Sequence, residues 1–152
     1  MVSMTLRPHH ILDIIATYGA GDPFVPSDNG SAVPAVASLL LADPDLPIRL
    51  VARVDDICKP CRMLRDGRTC TNVLAQLEHR PSMQEYNDAL DRRLLAFLGL
   101  REEEETTVRR FLKAVAAALP GVMGIATHPG ETEDVKRNNV AAGLRKLEIA
   151  AD

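Results

Sequence analysis

"IRLVARVDDICKPCRMLRDGRTC", residues 48–70, is the stretch on which the reading of this chain turns. Its first half alternates Ile48, Leu50 and Ala52 with Arg49, Val51 and Arg53, the two-residue period of a half-buried strand. Its second half is a polar loop with a turn glycine, Gly67, and it holds every cysteine of the 152-residue chain: Cys58, Cys61 and Cys70. Three is odd, so pairing into disulfides leaves one thiol over. A strand feeding a cysteine loop points to a small sheet that supports a cofactor site.

The remaining sequence is mostly helical. Pro8 suits the first turn of a helix running to Tyr18, with Ile11, Leu12, Ile14 and Ile15 on one side and Gly19 as its stop. Ala32–Leu41 reads as a second helix. Ser82 and Glu85 form a capping-box pattern ahead of Tyr86, Leu90, Leu94, Phe97 and Leu98, and Gly99 ends that run. "EEEE" at 102–105 reads as the acidic start of a fourth helix carrying Val108, Phe111, Leu112, Val115 and Leu119 inward. "VMGIA", 122–126, fits a short buried strand or a helix tail, and a last helix carries Val135, Val140, Leu144 and Leu147. The expected class is mostly α (α+β): about five helices, a small two- or three-stranded sheet, and the cysteine loop packed near the first helix.

Composition narrows the function. A chain of 152 residues without internal repeats is expected to form a single domain, 1–152, and can bury a sizeable core without a metal. Eighteen Lys and Arg against 21 Asp and Glu give a net charge of -3, which argues against nucleic acid as a partner. The longest apolar run, 114–126, is too short for a bilayer and is broken by Pro120 and Gly121, so no membrane role is expected. "MVSMTLRPHH" has no apolar signal region, and free thiols suit a reducing compartment; a cytoplasmic location follows as the expectation. Nucleotide-binding and nucleophile-elbow motifs do not occur.

The cysteine spacing is C-x2-C-x8-C. A tight C-x2-C turn aims two sulfurs at one centre, and the chain returns after Gly67 with a third. Thiolates are soft donors that select zinc or iron–sulfur clusters over hard cations, and Lys59, Arg62 and Arg65 stand close by to offset their charge. Two other readings compete. The thiols could be small buried hydrophobes, yet all three fall in one polar loop. "CKPC" also has the look of a dithiol redox pair, but that chemistry wants its first cysteine at the N-terminus of a real helix, and "RMLRDGRT" offers only a turn before Gly67. Metal binding is the reading that uses all three sulfurs.

Three sulfurs are one ligand short of a closed tetrahedral site or a fully ligated cubane. The first helix offers donors. At 100° per residue His9, His10, Asp13 and Thr17 share one face, opposite Ile11 and Ile15. His128, in "ATHPGE", is a further candidate at a turn. Arg7 is placed to anchor Asp55 or Asp56, or to touch a substrate, and both aspartates can shape the cysteine turn by receiving backbone N–H groups.

"LRPHHILD" at 6–13, followed by "DDICKPC" and Cys70, resembles the bacterial and archaeal family named domain of unknown function 1284, whose members are suspected iron–sulfur proteins. The resemblance covers roughly residues 4–100. It implies a [4Fe-4S]-type cluster bound by Cys58, Cys61 and Cys70. In the family the opening string commonly ends in cysteine where this chain has Asp13, so the resemblance leaves the fourth position to Asp13, to His10, or to water or substrate. A labile iron there would take a small-molecule ligand and support lyase- or desulfuration-like chemistry, with His9, His10 and Asp56 as acid/base candidates. The alternative is a structural zinc module closed by three Cys and His10, His128 or Asp13. Oligomeric state and the occurrence of any turnover are left open.

Overall fold

The computed structural model describes residues 3–152. In chain order the elements are β1 (Met4–Leu6), α1 (Pro8–Ala20), α2 (Val33–Ala42), β2 (Pro47–Leu50), β3 (Leu64–Arg65), β4 (Thr69–Cys70), α3 (Met83–Leu98), β5 (Glu105–Thr107), α4 (Val108–Ala118), α5 (Met123–Ala126) and α6 (Glu133–Lys146). The fold is mostly α with a small three-stranded sheet, as the sequence pattern leads one to expect; among the described residues a separate two-stranded sheet, β3–β4, is added to it.

The "IRLV" strand is the centre of the larger sheet. β2 pairs parallel with β1, Ile48 opposite Met4 and Leu50 opposite Leu6, and antiparallel with β5, Ile48 opposite Thr106. Ile48 and Leu50 point into the core as the alternation requires. The strand is shorter than the sequence implies. After Leu50 the backbone leaves the ladder, and both Val51 and Ala52 are buried. Residues 51–54 do not extend the sheet, although Val51 N–H still donates to Leu6 O at 3.0 Å.

The core is aliphatic and gathers on α1: Ile11, Leu12, Ile14 and Ile15 meet Leu6, Leu50, Leu94, Phe111, Leu112, Val115, Val140 and Leu144, all with almost no exposed surface. α1 and α6 cross at two glycines. A Cβ on Gly19 would fall 1.7 Å from Asn139 O, and one on Gly143 would fall 2.4 Å from Ile15 O. Gly19 is therefore not the helix stop that its position after Tyr18 suggests. The helix continues to Ala20 and ends at Gly21, which takes φ 78°.

The acidic run behaves differently from the expectation. Glu102–Glu104 lie outside regular structure and Glu105 opens β5, so α4 starts later, at Val108. Its cap is Thr107, whose Oγ1 accepts Arg110 N–H at 3.1 Å. The edge of β2 had backbone groups to satisfy, and pairing with 105–107 satisfies them. Ser82 does cap α3, accepting Glu85 N–H at 3.3 Å. Within "VMGIA" Met123–Ala126 form a one-turn helix, α5, which is why six helices appear among the described residues where about five are expected.

Candidate metal centre

Asp55 organises the site. It is 1 % exposed, and its carboxylate collects four donors: Oδ1 accepts Ile57 N–H at 3.1 Å and Cys58 N–H at 3.3 Å, and Oδ2 accepts Arg7 N–H at 2.7 Å and faces His10 Nδ1 at 2.8 Å. A carboxylate has about four lone-pair sites. All are in use, so Asp55 positions its neighbours. Burial pushes its carboxyl upward, but the His10 charge and these hydrogen bonds outweigh it and bring the pKa down to about 2. Asp56 ties the same loop to the sheet: Oδ2 accepts Thr5 N–H at 2.9 Å, and Oδ1 pairs with Lys59 Nζ at 2.6 Å. The expected reception of turn N–H groups is seen for Asp55, whereas Asp56 takes a backbone N–H of β1 instead.

His10 sits in the first turns of α1, where Pro8 opens the helix behind Arg7. With Nδ1 on Asp55, its Nε2 is the nitrogen left for another partner, the arrangement usual for a metal-binding histidine. Burial lowers the His10 pKa, yet the Asp55 charge and hydrogen bond prevail and the net shift is upward. Cys58 moves the other way in consequence. Burial and then the Asp55 charge push its thiol up to about 12, so without a cation it holds its proton at neutral pH. The donor atoms of His10, Asp55 and Cys58 lie within 4.8 Å of one another, a grouping of metal-ligand types in which Asp55, its oxygens engaged, orients His10 and Cys58.

Cys61 and Cys70 join Cys58 and His10 in lining one cavity of about 160 Å³, together with Arg7, Met63, Asn72 and Asn87. Local structure explains the convergence. Cys61 N–H donates to Cys58 O at 2.9 Å, closing the C-x2-C turn. Asp66 and Gly67, both at positive φ, turn the chain back so that β4 pairs with β3 and Cys70 lies opposite Leu64. Gln84 of α3 then pins the returning strand, its Oε1 accepting Cys70 N–H at 2.6 Å. From the other side Asn29 O accepts Arg62 N–H at 2.7 Å. Cys58 occupies a turn, not a helix N-terminus, and its raised pKa is opposite to what a dithiol nucleophile needs.

A second polar layer lies behind His10. Arg7 is 3 % exposed, and its guanidinium pairs with Asp91 at 3.0 Å and Asp88 at 2.6 Å, both on α3, instead of with Asp55 or Asp56 as expected. Only its backbone N–H reaches Asp55. Asp91 is fully buried and also takes His9: its backbone N–H at 2.9 Å and Nδ1 at 2.8 Å. Burial and then the neighbouring His10 lower the His9 pKa, against the pull of Asp91. The His9 ring stands 4.4 Å from His10 and 5.0 Å from His128, whose Nε2 meets Asn87 Oδ1 at 2.8 Å.

The other expected donors stand elsewhere. Asp13 contacts Lys136 Nζ at 2.7 Å and borders an open cavity between α1 and α6 and a smaller one that it shares with His10; it is not among the residues lining the cysteine cavity. That contact lies outside hydrogen-bonding angles, so charge attraction dominates it. His128 likewise lines neither thiol nor His10 Nε2, and its backbone N–H is held by Glu131 at 2.7 Å. Asp91, Asp88, Gln84 and Asn87 were not read from the sequence as site residues. Asp91 had a visible signal: it falls between Leu90 and Leu94 on the buried stripe of α3, where a charge needs a partner.

Residues 31–124 match the family model described as protein of unknown function (DUF1284). The chain belongs to the DUF1284 family. The matched segment contains all three cysteines, Asp55, Asp56, Asp88 and Asp91; the α1 residues His9, His10 and Asp13 precede it. Comparison with curated proteins finds no match, and comparison with solved structures finds none. No helix among the described residues of this DUF1284 protein is long and apolar enough to cross a membrane. Three thiols and an imidazole nitrogen on one cavity are soft and borderline donors, a set that suits zinc or iron–sulfur chemistry and not Ca²⁺ or Mg²⁺.

Proposed function

We propose that this is a cytoplasmic iron–sulfur protein that holds a [4Fe-4S]-type cluster on Cys58, Cys61 and Cys70, with His10 Nε2 as the donor at the fourth position. The observation that carries this reading is that one cavity is lined by all three cysteines and by His10, whose opposite nitrogen is held by buried Asp55. With metal–sulfur bonds of about 2.3 Å, one tetrahedral ion draws its ligand atoms to within roughly 4 Å of one another. Cys61 and Cys70 share the cavity but stand outside the compact His10, Asp55 and Cys58 group, an arrangement that a centre with several metal corners accommodates.

When bound, such a cluster supplies a one-electron couple and, at a corner not held by thiolate, Lewis acidity toward a small-molecule ligand. The chain's own residues supply the rest. Asp55 keeps His10 in one tautomer and orientation, and Arg7 neutralises Asp88 and Asp91 behind it. Of the acid/base candidates, His9 has Nδ1 committed to Asp91, Asp56 is occupied by Thr5 N–H and Lys59, and His10 is held by Asp55 and the cluster, so His10 meets a ligand only where that ligand displaces its Nε2 from the fourth position.

The second reading, a Cys3His zinc module, is favoured by the His10–Asp55 pair, an outer-shell contact equally at home beside zinc. Visible absorption separates the two. Anaerobically purified protein should be brown with broad absorbance, and Cys58→Ser or Cys70→Ser should bleach it; a colourless wild type would count against the cluster.

A further inference from the structure

Resting on that cluster reading, we infer that Asn72 and Asn87 are donors to the cluster's sulfurs, placing amide N–H groups on the cavity wall to favour the reduced state. Both line the cavity with the three cysteines. In each, the amide oxygen is already taken: Asn72 Oδ1 accepts Val73 N–H at 2.9 Å, and Asn87 Oδ1 meets His128 Nε2 at 2.8 Å. That assignment orients the amides, since an oxygen engaged on one side turns the NH2 to the other. Among the described residues neither Nδ2 has a hydrogen-bond partner, and neither is a sealed, unsatisfied atom. Both are open to hydrogen bonding and belong to side chains that line the cavity.

Helix geometry makes the placement of Asn87 firm. Met83, Gln84 and Asn87 are spaced by three and four residues, so they form one face of α3, and all three line the cavity. Gln84 fastens Cys70 from this face, as described, and Asn87 is one turn further along. His128 is then a positioning residue acting through Asn87. Its backbone is fixed by Glu131, and its ring holds the Asn87 oxygen.

The physical consequence has a definite sign. Adding one electron, taken from an external one-electron reductant, makes the cluster more negative by one unit. N–H groups aimed at its sulfurs bind that state more strongly, because hydrogen bonds to the more charged acceptor are stronger. Removing a donor therefore lowers the midpoint potential.

The test is a potentiometric titration of cluster-loaded protein, with dithionite as reductant and EPR or visible absorbance as readout. Asn87→Leu and Asn72→Leu, near in volume but without donors, should each lower the potential, by the equivalent of a several-fold fall in the reduced-to-oxidised ratio at fixed potential. Asn87→Asp, which puts an acceptor where the donor was, should lower it further. Gln76→Leu, which lies outside the cavity, should leave it unchanged. Iron and sulfide are measured on every variant. If Asn87→Leu does not fold, Asn72→Leu on its loop carries the same test. Full cluster content with unaltered potentials in the Asn72 and Asn87 variants would overturn this inference and leave the cluster reading intact. A wild type without iron and sulfide would overturn both.

Discussion

Asp55 Oδ2 lies 2.8 Å from His10 Nδ1, and through this contact a residue of the cysteine loop sets the orientation of a residue of α1, 45 positions earlier in the chain. The same oxygen holds Arg7 N–H, so one buried carboxylate fixes both the start of the helix and the ring that faces the thiols.

Asp55→Asn replaces one of these oxygens with an NH2 that confronts either Arg7 and His10 or Ile57 and Cys58, all of them donors. Breaking a buried charged pair from one side costs on the order of 3 kcal/mol. Urea unfolding of the metal-free variant should show a loss of that size, and metal content on purification should fall with it.

The same pair sets a pH window. Asp55 drops from its ordinary 3.8 to about 2, so its contribution is present above pH 3.8 and is lost as pH falls through about 2; the full shift is worth roughly 2 kcal/mol. His10 is raised above 6.5, so the pair contributes fully below pH 6.5 and fades as pH climbs through the folded His10 pKa. It is one interaction and counts once. Metal-free protein should lose stability on both sides of a plateau between about pH 4 and 6.5, and Asp55→Asn should flatten the acid limb in thermal unfolding measured across pH.

In the metal-free state Cys58 should be the slowest thiol to alkylate. A shift from 9.0 to about 12 leaves about a thousandfold less thiolate at pH 8. Site-resolved mass spectrometry after iodoacetamide checks this. Asp55→Asn should speed labelling of Cys58, and rapid labelling of Cys58 in the wild type would contradict the electrostatic account.

Much of this arrangement was legible before any coordinates. The C-x2-C-x8-C spacing and Gly67 point to sulfurs brought together by a turn, and the hairpin of β3 and β4 is that turn. Pro8 and the isoleucines mark α1 and its buried side. Other features are invisible to periodicity. β1 and β5 are three residues each, too short to alternate, and Glu102–Glu105 imitates a helix start because nothing local reveals that β2 needs an edge partner. Gly19 looks like a stop until α6 is seen pressed against it. Asp13 shares a face with His10, but the helix turns it toward Lys136, a partner 123 positions away in sequence.

That placement makes Asp13 informative. Asp13→Ala should cost about 1 kcal/mol or less, since the carboxylate is 44 % exposed and Lys136 retains Glu131 and Ala126 O. Bound metal should be unchanged in Asp13→Ala, and Asp13→Cys should bring no added resistance to loss of iron on oxidation, measured by EPR.

Gly19→Ala should be the most damaging of the smallest substitutions, its Cβ falling 1.7 Å from Asn139 O, and Gly143→Ala comes next. In the latter the Cβ would meet the backbone of Ile15, which cannot swing aside as a side chain can. Overpacking of this kind costs roughly 1–3 kcal/mol or more, read as a lowered urea midpoint with the slope unchanged.

The most direct measurement is of iron, acid-labile sulfide and zinc in one anaerobic preparation of the wild type, with Cys61→Ser alongside. Iron and sulfide in near-equal amounts, little zinc, and a sharp fall of both in the variant are what a cluster seated on this cavity predicts. One zinc per chain with no sulfide would contradict it.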